Sequence, residues 1–131
     1  MRSRERGSIA VELGLALPIF ILVVCGGLSL GRALVTKHNL EAAVADVARS
    51  AAIANVRAEG AIRTAIIARL GNERNACSDL PTRVRVIPSG VVGTPDALEV
   101  TATCVLTPMF KGVLTFGVDQ VTAVVAMPLP I

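Results

Sequence analysis

The chain has 131 residues, of which 53% are hydrophobic and 18% are charged, so its length allows one ordinary domain and excludes a large multidomain enzyme. Of the net charge of +3, two units come from Arg2, Arg4 and Arg6 against Glu5, which leaves 10 basic and 9 acidic residues, a net of +1, in the rest of the chain. Because that remainder has no basic patch, and because the chain has three Phe but no Tyr or Trp on which bases stack, nucleic-acid binding is not expected.

The first predicted element is an apolar helix near the N-terminus. No charged residue lies between Leu13 and Gly31, and these 19 positions form a helix of about 28 Å, close to the roughly 30 Å of a bilayer's hydrocarbon core. Basic residues are denser before the segment than after it, where Arg32 and Lys37 follow. The positive-inside rule therefore favours a cytoplasmic N-terminus and an exported remainder, which at residues 32–131 is too small for a large catalytic core.

This apolar segment has three alternative fates. Cleavage by signal peptidase needs a shorter apolar core and small residues before the cut, which Gly27-Leu28-Ser29 supplies only weakly. A lipoprotein signal would use Cys25, but the bulky Val24 stands where a small residue is expected. The third fate is a retained membrane helix in which Glu12 pairs with a cation, because an unpaired carboxylate is disfavoured there; alternatively, Glu12 reaches the headgroup level and has no role.

The residues around Glu12 resemble those of a known family. A short basic leader ends in Gly7, Glu12 is the fifth residue after that glycine, and the apolar helix contains Pro18. Gly31-Arg32 marks the exit of the helix, and an Ala-rich stretch follows at residues 41–54. Over about the first 55 residues the chain thus resembles the type IV pilin superfamily, and within it the TadE-like pseudopilins of the tight-adherence (Tad) pilus system.

The resemblance implies a processing site, a pairing charge and a set of partners. A membrane prepilin peptidase would cut between Gly7 and Ser8, and Glu12 would pair with the new N-terminal amine of a neighbouring subunit as the helices pack in a filament. The implied partners are this peptidase, other Tad pilins or pseudopilins, the inner-membrane assembly platform and the membrane itself. The implied location is the bacterial inner membrane, with one pass and a periplasmic C-terminal part, or the extracellular pilus.

The chain departs from the family pattern at two places. The family often has an aromatic residue directly after the glutamate, where this chain has Leu13, and an acidic-aromatic pair before Gly-Arg, where it has Ser29-Leu30. Neither change removes the peptidase site. The major Flp pilins of this system are much shorter and TadG-like members often carry a far larger exported domain, so the length favours a minor, TadE-like subunit.

An amphipathic helical stem is predicted after Arg32. Lys37 with Glu41, and Glu59 with Arg63, stand four residues apart and should support helices by a few tenths of a kcal/mol each. The apolar stripe recurs at spacings of four, three and four. It consists of Leu40, Val44, Val47 and Ala51.

Gly60 interrupts this pattern, so we expect a kink or a break into two helices. A second apolar set is rotated relative to the first, and Gly71-Asn72 is typical of a helix C-terminus. This second set consists of Ile62, Ile66, Ile67 and Leu70.

The apolar periodicity changes to two after this stop, which predicts strands over residues 83–86, 98–106 and 118–127. Turns are predicted at Pro88-Ser89-Gly90, at residues 93–96 and at Lys111-Gly112. Each strand has one apolar face, and the stem is available to cover it. The expected fold is therefore α+β: a long N-terminal helix, continuing into the stem, packed on a small antiparallel sheet, similar to the general pilin plan.

Four segments are expected on this reading. They are a cleaved leader (1–7), a transmembrane and filament-packing helix (8–31), an exported amphipathic helical stem (32–71) and a small antiparallel β head (72–131).

Of the three cysteines, one lies in the apolar helix and two lie in the exported part of the chain. Cys25 lies in the apolar helix and is most simply a small apolar residue. Cys77 and Cys104 both fall in the exported part, where oxidation is the default, and a disulfide between them would close a loop of about 27 residues. The alternatives are two unrelated free thiols, or half of a zinc site, which would lack nearby histidine.

Catalytic chemistry is not expected from this sequence. The single histidine, His38, has no neighbouring acidic or cysteine motif, and no Ser-His-Asp order, phosphate-binding loop or paired-carboxylate spacing is present. We therefore expect no enzyme, no cofactor and no metal, but a structural minor pilin or pseudopilin that serves assembly or tip formation of an adhesive pilus. The alternative is an uncleaved single-pass envelope protein that binds an unrelated partner through its exported head.

Overall fold

The computed structural model describes residues 3–108 and 118–130, with side chains from Ile9 onward. The predicted α+β architecture, a long N-terminal helix packed on a small antiparallel sheet, is confirmed. The predicted turn at Lys111-Gly112 lies outside the described residues. The elements in chain order are α1 (Ser3–Ile53), α2 (Glu59–Leu70), a 3-10 helix (Gly71–Ala76), β1 (Cys77–Asp79), β2 (Thr82–Ile87), β3 (Ala97–Leu106) and β4 (Gln120–Pro128).

One face of α1 is buried over its C-terminal part. The buried stripe begins at Ala33 and continues through Thr36 to Ala52; its members recur every three or four residues, and from Ala43 onward they come as adjacent pairs, as one broad face of an α-helix requires. The predicted members Leu40, Val44, Val47 and Ala51 are all buried in it. Through this stripe α1 packs on β4, β3 and α2.

The helical stem breaks after Ile53, earlier than the interruption predicted at Gly60. Asn55 adopts a left-handed conformation with φ of 55°, and the Val56 N–H donates to the Ala51 carbonyl at 2.9 Å. Asparagine tolerates this conformation better than most residues because its short side chain bonds locally, so it ends α1. Gly60 instead lies in the first turn of α2.

We expect Asn55→Ala to lower the free energy of unfolding of the head by about 1 kcal/mol, because alanine has a Cβ that opposes φ > 0 and no polar group to offset it. Asn55→Gly should leave stability within a few tenths of a kcal/mol, because glycine adopts φ > 0 freely. Urea midpoints of the full chain in detergent check both changes. Equal losses in the two variants would show that the side chain, and not the backbone conformation, carries the effect.

The second helix follows the predicted pattern. Ile62, Ile66 and Leu70 are buried, whereas Ile67 is half-buried. The helix ends where Gly71 adopts φ of 52°, so the predicted stop at Gly71-Asn72 is confirmed.

The sheet has β3 at its centre. β2 pairs antiparallel with residues 97–102 of β3, and β1 pairs with residues 105–106 on the same side. The Thr103 N–H donates to the Pro81 carbonyl at 3.0 Å, which links the two, so β1 and β2 form one edge strand interrupted near Pro81. β4 pairs antiparallel along the other side, and β1 is a strand that the sequence did not predict.

Long-range contacts set the direction of each element. Arg69 forms an ion pair with Asp46, so α2 runs back along α1. The Arg63 guanidinium lies 3.3 Å from the Asp79 carboxylate, and the Val84 N–H donates to Glu59 at 3.1 Å, so β1 and β2 run antiparallel to α2.

It follows that β2 and β4 run in the direction of α1, and that the 88–96 loop lies at the end of the head remote from the apolar segment. The predicted pair of Glu59 with Arg63 is wrong, because each of them contacts the β1–β2 strand instead. The pair of Lys37 with Glu41 is present at 3.7 Å.

Candidate functional site

The N-terminal part of α1 exposes its apolar side chains. No residue between Ile9 and Gly31 is buried, and Leu15 and Val23 are 71% and 69% exposed. Within the described residues, α1 is the helix long and apolar enough to cross a membrane: its most apolar 18-residue window has a mean hydropathy of 2.5, and none of that window is buried. So large an apolar surface requires a non-aqueous environment or a partner.

The exposed surface surrounds the helix. Six consecutive large side chains, from Ile19 to Val24, are exposed, and consecutive residues of an α-helix point about 100° apart. These six therefore cover every direction around the axis. A partner on one side would leave apolar surface in water, whereas a lipid bilayer or a ring of neighbouring helices covers all of it.

The head begins directly where the apolar segment ends. Ala33 is the first buried residue of α1, and Arg32 Nη1 donates to the Thr107 carbonyl, which follows β3, at 3.3 Å. Because α1 is continuous through this point, no flexible linker separates the apolar segment from the head.

The residues predicted to be processed lie near the start of α1. Gly7 and Ser8 have helical backbone, and Glu12 follows Gly7 by about 7.5 Å along the helix axis. Glu12 is exposed, and among the described residues no ion pair involves its carboxylate. Its position leaves it accessible to a cation from another molecule.

Cys77 and Cys104 are joined in a disulfide, with Cα atoms 5.3 Å apart. Cys104 is completely buried in the central strand, and Cys77 is half-buried at the start of β1. The bond therefore ties the start of the β1–β2 edge strand to β3. Cys25, in the apolar segment, is a free thiol.

The remaining polar candidates have structural contacts or face solvent. His38 is exposed on α1. Asp79 accepts the Leu80 N–H at 2.8 Å besides pairing with Arg63, and Asp96 accepts the Ser89 N–H at 3.1 Å across the 88–96 loop. Among the described residues, no cluster of three or more His, Cys, Asp or Glu side chains could hold a metal ion.

Two contacting residues were not identified from the sequence. From the sequence, Arg32 marks only the helix exit, because its hydrogen bond to Thr107 spans 75 positions and no local signal predicts such a contact. The spacing predicts an intrahelical pair for Glu59, but its carboxylate accepts a hydrogen bond from the backbone of β2. The uncapped helix start at Ala58 gives no indication of this contact.

Comparison with known proteins agrees with this geometry. Residues 7–49 match the family model of the TadE-like proteins, a range that runs from the predicted cleavage site, through the exposed apolar segment, into the buried stripe. No curated protein and no solved structure matches the chain. Over residues 7–49, the chain is therefore similar to the TadE-like proteins, a structural family associated with the Tad pilus.

Proposed function

We propose that this chain is a minor pilin or pseudopilin of a Tad-type pilus, acting in assembly or tip formation of a filament used for adhesion. The observation that carries the proposal is the match of residues 7–49 to the TadE-like family over a helix whose apolar surface is exposed on all sides. A helix of this kind is suited both to storage in a bilayer and to packing among neighbouring helices, the two environments of a pilin.

Processing supplies the cation for Glu12. The chain inserts in the inner membrane with its N-terminus in the cytoplasm, and the prepilin peptidase cuts between Gly7 and Ser8. The new amine of Ser8 lies four residues before Glu12, about 6 Å along the axis. For Glu12 of one subunit to meet the Ser8 amine of a neighbour, the two parallel helices must be offset by about this distance, so the charge pair sets their relative height.

The head then occupies the outer side of the membrane or of the filament. Because α1 enters the head without a linker and Arg32 bonds the end of β3, the offset between two helices fixes the offset between their heads. The remaining proposed partners are other Tad pilins or pseudopilins and the inner-membrane assembly platform.

Leader cleavage is the first test. We expect the chain from membranes of cells with the cognate prepilin peptidase to begin at Ser8, and the chain from cells without it to retain residues 1–7. Gly7→Leu should block cleavage, because the small residue at the cut is replaced by a large one. Gly14→Ala is the matched control, since a Cβ at Gly14 meets no atom within 4 Å. Intact mass and N-terminal sequencing are measured for the unaltered chain with and without the peptidase and for the two variants with it.

A chain that retains residues 1–7 in the presence of the peptidase would contradict the proposal. The protein would then be an uncleaved single-pass envelope anchor that binds its partner through the head. Cleavage that persists in Gly7→Leu would place the cut elsewhere.

A further inference from the structure

The outer edge of β4 carries backbone groups that no other described residue pairs with. The bonds from the Leu106 N–H to the Asp119 carbonyl (2.8 Å) and from the Leu129 N–H to the Asp96 carbonyl (2.7 Å) fix the phase of the β3–β4 ladder. In an antiparallel pair, residues alternate between bonding the partner strand and pointing away from it. With this register, the residues whose own N–H and C=O groups point away from β3 are Gln120, Thr122, Val124 and Ala126. Among the hydrogen bonds of residues 9–108 and 118–130, none reaches these groups.

The opposite edge of the sheet is protected. By the same alternation, fixed there by the bond from Thr103 to Pro81, Val84 points its N–H away from β3, and the Glu59 carboxylate accepts it at 3.1 Å. Arg83 and Arg85 flank this position and are exposed. Charged side chains and a covered donor are the usual means by which an edge strand avoids pairing with another chain.

β4 lacks these protective features over most of its length. Its nine residues include no charged side chain. Three side chains on its solvent face are exposed and uncharged, namely Thr122, Val124 (58% exposed) and Ala126. Pro128, the last residue of the strand, is its one feature that opposes pairing. A long uncharged edge beside a protected one indicates that the β4 edge is kept open for a partner.

We propose that the β4 edge accepts an additional strand from a different polypeptide: an extended segment with small or β-branched, uncharged side chains. A second copy does not fit. Because β4 runs in the direction of α1, antiparallel pairing of two β4 strands would point the two membrane helices in opposite directions. Parallel pairing would place the two α1 helices on opposite faces of the joined sheet and keep their apolar segments apart. Pairing of β4 with β2 of another copy would need the Val84 N–H, which Glu59 occupies.

The inference requires that α1 anchors the chain in a membrane, but not that the chain enters a pilus. An uncleaved anchor with the same head would present the same edge. If the leader-cleavage test fails, the proposal of strand addition at the β4 edge is unaffected. If the crosslinking test fails, the pilin proposal is unaffected.

Site-specific photocrosslinking in the full chain, expressed in its own cells, tests the proposal. The photoreactive residue p-benzoylphenylalanine replaces Thr122, Val124 or Ala126 in turn, and the crosslinked residues of the partner are mapped by mass spectrometry. Strand addition places partner residues beside these three positions with a period of two. We expect the three crosslinks to map to one segment of one other protein, at positions two residues apart.

Proline variants connect the crosslinks to backbone pairing. Val124→Pro removes an outward N–H and no bond to β3, and we expect it to lower the crosslink yield from position 122 about tenfold. Val124→Lys, which keeps the N–H and adds a charge, should also lower the crosslink yield from position 122. Val86→Pro is the matched control, because Val86 also points its N–H outward but from the protected edge. Retention of the disulfide between Cys77 and Cys104 verifies that each variant folds.

Three crosslinking results would overturn the proposal. They are crosslinks scattered over several proteins or without the period of two, crosslinks to a second copy of this chain, and the absence of any crosslink from the three positions. Equal effects of Val124→Pro and Val86→Pro would also contradict it.

Discussion

We expect Glu12→Ala to abolish incorporation of the protein into sheared pili while leaving its insertion in the membrane intact. A carboxylate within the bilayer is disfavoured by up to about 2.5–3.5 kcal/mol, and the proposed ion pair with the Ser8 amine of a neighbour would remove this penalty. Loss of a pair of that strength lowers an association constant by roughly 70- to 400-fold. The isolated helix, by contrast, inserts more favourably without the charge, so the amount of protein in the membrane should not fall.

Two further variants separate charge from shape. Glu12→Gln keeps the size of the side chain but removes the charge, and should fail as Glu12→Ala does. Ser29→Ala is the matched control, because the Ser29 hydroxyl bonds the Cys25 carbonyl of its own helix at 2.9 Å and should not affect assembly. Pilus fractions are compared with membrane fractions by immunoblot. Incorporation of Glu12→Gln at the level of the unaltered chain would show that no charge pair forms.

The regular elements were predictable because burial imposes periodicity on them. Leu40, Val44 and Val47 are spaced for one face of a helix, and that face is buried. Leu98, Val100 and Ala102 alternate with polar residues, and they are the buried side of the central strand. In both elements the fold determines where apolar residues stand in the sequence, so the spacing of these residues predicts the element and its buried face.

The irregular elements lacked such a signal. β1 has only three residues, none of them fully buried, so no alternation marks it. The sequence predicts the break in the stem at Gly60, because glycine is the poorest ordinary helix former. The left-handed residue is instead Asn55, and asparagine is the residue type that follows glycine in preference at a helix end. The sequence therefore contains a weaker signal for a break at this position.

The open and closed edges of the sheet depend on tertiary contacts. Glu59 stands four residues before Arg63, and in isolation the two satisfy the rule for an intrahelical pair. In the fold, Arg63 meets Asp79 and Glu59 meets the Val84 N–H, because α2 lies beside β2. Which edge of the sheet stays open is decided by this packing, and no spacing within the sequence encodes it.

We expect loss of the disulfide to be the largest change in stability available to a single substitution outside the hydrophobic core. The bond between Cys77 and Cys104 spans 27 positions, and the loss of loop-closure entropy in the unfolded chain stabilises the fold by about 3–4 kcal/mol. Marginal domains of this size have only about 5–15 kcal/mol in total. Cys77→Ser should therefore lower the free energy of unfolding of the head by about 3–4 kcal/mol, as should reduction of the unaltered protein.

The two cysteines are not equivalent, and their difference supplies an internal check. Cys104 is fully buried, whereas Cys77 is half-buried, so Cys104→Ser places a hydroxyl in the apolar core and should cost about 1–3 kcal/mol more than Cys77→Ser. Cys25→Ser, at the free thiol of the apolar segment, is the control and should leave the head unchanged. Pulse proteolysis of the full chain in detergent across a urea series measures all three. If Cys77→Ser matched the unaltered oxidised protein, the packing of the stem on the sheet would by itself account for the stability of the head.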